Sequence, residues 1–114
     1  MIEFSKSQRK ALRELAARIR EAETRQMLES LDEQFARWRG GQLGSGDLLD
    51  AIHEFQKGPA RQLWSMHQSL KEPELVARGV ALGLASLSEL PEDVRPRLAP
   101  LVEFFARGSG RNPP

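Results

Sequence analysis

The first 39 residues contain neither glycine nor proline. From Ser5 to Arg39 almost every residue is a good helix former, so the chain opens with one long helix or with two placed end to end. Ser5 and Gln8 have the spacing of a capping box, with Phe4 placed as a staple residue. At ~100° per residue, Leu12, Leu15, Ala16, Ile19 and Ala22 form one apolar stripe. Met27, Leu28, Leu31, Phe35 and Trp38 form a second, turned by roughly 130° from the first. Two readings fit this rotation. Either the helix breaks near Thr24, or one helix meets different partners along its two halves.

Length gives the second reading a consequence. An unbroken helix over this span measures ~50 Å, whereas a compact domain of this size is only ~35 Å across. The helix then overhangs its own domain, and an overhang with an apolar stripe needs cover. A second copy related by a two-fold axis is the simplest cover. The sequence therefore predicts a homodimer, with Leu28, Leu31, Phe35 and Trp38 as the dimer stripe.

The remainder of the chain is punctuated differently. Gly40, Gly41, Gly44 and Gly46 mark a loop. Ser45 and Asp47 are both suitable N-caps for a second segment. On a uniform wheel, Leu48, Leu49, Ile52, Phe55, Leu63, Met66 and Leu70 share about 120°. That phase carries across Gly58-Pro59 and predicts one kinked helix, or two nearly collinear ones, over 47–70. Pro73 suits the first turn of a third major helix. Leu75 to Leu87 is apolar around almost its whole circumference, which predicts a helix at the centre of a bundle. Within it, Gly79 and Gly83 offer a small face for close packing. Pro96 and Pro100 suit the start of a last helix with Leu98, Leu101, Val102, Phe104 and Phe105 on its apolar face. No run alternates as a strand does. The expected fold is all-α, a four- to five-helix bundle with a long N-terminal helix and a central apolar helix 75–87. A single domain over 1–108 is expected, made of the helix 1–39, the loop 40–46 and a helical core 47–108. A disordered tail follows at 109–114.

Chemistry is sparse. The chain has no cysteine, which excludes a disulfide scaffold, a thiol nucleophile and a cysteine-ligated metal. His53 and His67 are its two histidines. On one continuous helix they lie ~21 Å apart, too far to share an ion. A di-iron site needs two Glu-x-x-His pairs, and none is present. The serines sit at helix starts and turns, where capping explains them. Gly44-Ser45-Gly46 lacks the preceding strand of a nucleophile elbow. No catalytic residue, metal or cofactor is expected, and the chain is read as a non-enzyme. The longest apolar run, Leu75–Leu87, is too short to cross a bilayer, for which ~20 residues are needed. The polar N-terminus is unlike a secretory signal, so cytoplasmic residence is expected.

Charge is more informative in its distribution than in its sum. The net value of +1 is a cancellation: residues 1–20 carry +4 and residues 21–54 carry −5. Lys6, Arg9, Lys10, Arg13, Arg18 and Arg20 supply the basic end. This dipolar pattern fits antiparallel self-pairing, and also a modest contact of the basic start with nucleic acid. Further on, Asp50, His53, Lys57, Arg61 and Trp64 recur at helical spacing along one edge. Trp beside Arg and His is the composition of an interaction hot spot. His53, Lys57, Arg61 and Trp64 are therefore the candidate interaction surface. Solvated charge and a core-capping Trp64 explain the same residues equally well. The functional expectation is a non-catalytic cytoplasmic protein that acts through protein–protein interaction as a homodimer. A small regulatory nucleic-acid binder and a metal-binding helical enzyme are the alternatives.

Overall fold

The structure is a computed structural model that describes residues 3–108, and the tail expected at 109–114 lies outside them. The fold is all-α, with no strand among the described residues. Helix α1 runs from Lys6 to Arg39 without a break at Thr24. Its start is the expected capping box: the Gln8 N–H donates to Ser5 Oγ at 3.2 Å, and the Ser5 N–H donates to Gln8 Oε1 at 2.8 Å. Its end is a Schellman motif at Gly41, whose φ of 78° lies in the left-handed region. There the Gln42 N–H reaches the Arg37 carbonyl at 2.8 Å and the Gly41 N–H reaches that of Trp38 at 3.1 Å.

The chain divides into two compact units, one formed by residues 1–21 with 70–114 and the other by residues 22–69. The rotation of the apolar stripe within α1 accords with this division, because each half of the helix faces its own set of partners.

The first unit contains the start of α1, helix α2 (Glu72–Ala81), a 3₁₀ turn (Leu87–Glu89) and helix α3 (Arg95–Gly108). Its core is Leu12, Leu15, Ala16 and Ile19 from α1, Leu75 and Val76 from α2, and Leu90, Val94 and Leu98 beyond. The apolar helix expected over 75–87 stops at Ala81. Gly83, at φ 79°, closes a second Schellman motif, with the Leu84 N–H on the Gly79 carbonyl at 2.9 Å. The small residues thus serve two different ends. Gly83 stops the helix, while Gly79 lets it approach α1: a Cβ on Gly79 would meet Ile19 at 2.6 Å. Leu84, Ala85 and Leu87 still pack on the core from outside the helix.

Phe104, expected on the apolar face of α3, is instead 61% exposed and stands edge-to-face on Phe105 at 5.4 Å. Arg18 does not form the helical pair with Glu14 that its spacing suggests; it reaches Glu89 Oε1 at 2.8 Å. Glu89 also accepts the Ser86 N–H at 2.8 Å. This backbone hydrogen bond, reinforced by Arg18, holds the Glu89 carboxyl below its ordinary pKa.

Candidate functional site

The second unit is a helical hairpin. The second half of α1 turns at Gly41 into helix α4 (Ser45–Phe55), a π-turn (Gln56–Ala60) and helix α5 (Arg61–Ser69), which form one continuous run. Gly44, with ψ 160°, is the N-cap of α4. Ser45, one of the two expected caps, has another partner: its hydroxyl accepts the Trp38 indole N–H at 3.0 Å, which ties the tip of the hairpin. Near the other end, His67 Nε2 donates to Glu23 Oε1 at 3.1 Å, with side chains only 9% and 14% exposed. These two bonds tie the antiparallel hairpin near its two ends. Between them, Leu31 and Phe55 line a common cleft.

The π-turn decides which residues face inward. Pro59 cannot donate a hydrogen bond, and the helix absorbs it by taking in about one extra residue, or ~100° of phase. Gly58-Pro59 therefore neither breaks the run nor leaves it a regular helix. A uniform wheel counts Leu49 into the inward stripe. With the extra residue the stripe realigns on Leu48, Ala51, Ile52 and Phe55, and Leu49 is left 68% exposed.

The hairpin has a thin interior. Leu48 and Leu63 are its buried hydrophobics among the described residues. Met27, Leu31, Phe35, Ile52, Phe55 and Met66 are half-buried. Four of the five exposed large hydrophobics of the described chain lie here: Leu28, Trp38, Leu49 and Trp64. Two packed helices can bury only their facing stripes, and the remaining apolar residues fall to the flanks.

Those flanks are unlike each other. Measured from the buried stripe of each helix, Ser30, Gln34, Ala51, Glu54 and Gly58 turn to one side, where they line an open cleft. Leu28, Leu49 and Trp64 turn to the opposite side, at 52%, 68% and 64% exposure. Leu49 and Trp64 are ~22 Å apart along the run, and Leu28 stands between their levels on α1. Half-buried Phe35 and Ile52 lie between these three.

The sequence-derived candidates are distributed across this geometry. Of the dimer stripe, Leu31 and Phe35 are half-spent inside the hairpin, Leu28 is exposed, and Trp38 is 41% exposed with its indole N–H bonded at the tip. His53, Lys57, Arg61 and Trp64 are all exposed on the outer edge of the α4–π–α5 run. Lys57 Nζ is 4.0 Å from Glu54 Oε1. Two participants escaped the sequence reading. Leu49 was hidden by the π-turn, which a regular wheel does not contain. The Glu23–His67 pair joins residues 44 apart, beyond any local spacing rule.

No group of three His, Cys, Asp or Glu side chains that could hold a metal occurs among the described residues. Nor is any helix among them long and apolar enough to cross a membrane. No family model, curated protein or solved structure matches the chain.

Proposed function

We propose that this is a non-catalytic, cytoplasmic helical protein that acts through protein–protein contacts, and that the contact surface is the Leu28–Leu49–Trp64 side of the hairpin. The observation that carries the reading is asymmetry. The first unit closes around nine buried core residues, whereas the hairpin buries two hydrophobics and leaves four large ones exposed. Three of those four share one side. Large exposed apolar residues gathered on one side point to an interaction site, and Trp is among the residue types most enriched in binding hot spots.

The test is site-specific photo-crosslinking in cells that express the full chain. A crosslinking residue at Trp64 or Leu49 gives discrete adducts, and one at Gly46 or Glu54 does not. Equal yields at all four positions would overturn the reading.

A further inference from the structure

We propose that the first unit carries a binding surface of its own, for the phosphate backbone of a nucleic-acid duplex, on the face of α1 formed by Lys6, Lys10 and Arg13. This surface is separate from the contact side of the hairpin and does not depend on it.

At ~100° per residue, these three cations fall within about 60° of one another. The stripe Leu12, Leu15, Ala16 and Ile19 is turned roughly 135° from them, and it is spent in the core at 2% exposure or less. Lys6, Lys10 and Arg13 are all exposed. Together with Ser5 and Ser7 they line one open cleft, and no acidic side chain lines it. None of the three side chains has an ion pair or hydrogen bond among the described residues. Glu14 is spaced four residues from Lys10, yet the two do not pair. The other cations of this half of α1 are placed differently. Arg18 is engaged by Glu89, and Arg9 shares a separate cleft with Glu3 and Glu72. Lys6, Lys10 and Arg13 are thus gathered, exposed and uncompensated.

The chemistry of the face selects its partner. A helix that lies in a membrane surface needs an apolar face to bury, and that of this half of α1 is inside the core. A protein hot spot is built on large anchors such as Trp or Tyr, but α1 has no exposed large hydrophobic before Leu28. A single strand is held by stacking its bases on aromatic side chains, and the first aromatic residue within α1 is Phe35. A duplex asks for none of these, because phosphate contacts alone supply its sequence-independent binding. Its phosphates recur every ~3.4 Å along each strand, and Lys6 to Arg13 spans ~10 Å of helix, so one strand offers about one phosphate per cation. The Ser7 hydroxyl adds a donor of the kind that phosphate oxygens accept.

Fluorescence anisotropy of the full chain with a labelled DNA duplex of roughly 20 base pairs, from about 25 to 200 mM salt, tests this. Three phosphate contacts predict that log K falls with log salt at a slope of about −2.7. Lys10→Ala and Arg13→Ala should each weaken low-salt binding at least ~5-fold and make the slope shallower by about 1. Lys6→Glu, Lys10→Glu and Arg13→Glu together should abolish binding with the far-UV helix signal intact, because all three sites are exposed. Arg37→Ala removes the same charge elsewhere on α1 and should leave the slope unchanged. A chain that binds no duplex at the lowest salt overturns the inference, as does a slope that Lys10→Ala and Arg13→Ala leave unmoved. Tighter binding, per charge, to phosphatidylglycerol vesicles, poly-glutamate or a single strand than to the duplex overturns it as well.

Discussion

His67 donates to Glu23 across the neck of the hairpin at 3.1 Å, in a setting where both side chains are almost withdrawn from water. Removing one partner of such a pair leaves the other desolvated without compensation. Glu23→Ala should cost about 1–3 kcal/mol in urea unfolding, while Glu23→Gln, which keeps an acceptor oxygen, should cost less than half of that. Hydrogen exchange should show the loss concentrated in residues 61–69. Equal costs for the two substitutions would show that packing, and not the hydrogen bond, holds the neck.

Gly79→Ala brings two opposing effects into one position. Alanine is a better helix former by about 1 kcal/mol. Its Cβ, however, would sit 2.6 Å from Ile19 Cδ1 and Cγ2 in a core with no slack. Overpacking of this kind costs about 1–3 kcal/mol, so the variant should be less stable. Ile19→Ala in the same chain should make Gly79→Ala neutral or favourable. As a control, Gly46→Ala in α4 meets nothing within 4 Å and should stabilise the protein, as read by thermal unfolding.

The Glu89 carboxyl titrates below its ordinary value because the charged form accepts the Ser86 N–H and the Arg18 guanidinium. A depressed folded-state pKa contributes stability that is complete above the unfolded-state value and is lost as pH falls through the folded-state value. Glu89→Gln should therefore flatten the acid side of the stability profile and leave the profile near neutrality parallel to wild type. Carbon-detected NMR should report a Glu89 midpoint below that of glutamate in an unstructured peptide.

The π-turn makes an unusual prediction about chain length. Deleting one residue from an ordinary helix rotates everything beyond it by ~100° and misplaces the apolar stripe. At a π-turn the deletion removes the surplus residue and keeps both flanks in phase. Deletion of Pro59 should leave the hairpin folded, with its thermal midpoint at or above wild type, whereas deletion of Ser65 should unfold it. Circular dichroism melts distinguish the two.

The fold was legible in the sequence wherever local chemistry acts alone. The Ser5–Gln8 box and the run of helix formers to Arg39 follow from residues within one or two turns of each other. The two apolar stripes of α1 fitted a break near Thr24 as well as two sets of partners, and the continuous helix decides between them. Legibility failed where one residue had two competing uses. Gly83 could pack or cap, and the run beyond it did not reveal which; the left-handed φ settles it as a cap. Ser45 could cap α4 or receive the Trp38 indole, and it does the latter. At the candidate site, Trp64 and Leu28 were visible as apolar residues at helical spacing. Their shared side was not, because it depends on the handedness of the hairpin and on the phase taken up by the π-turn.

The division of the chain into 1–21 with 70–114 and an intervening 22–69 has an architectural consequence. The hairpin is an insertion: the polypeptide leaves the first unit, makes one excursion, and returns through a neck clasped by Glu23 and His67. The way out and the way back are unlike: the chain enters the excursion along α1, a helix it has already formed, and only the return at residues 69–70 is made outside a helix.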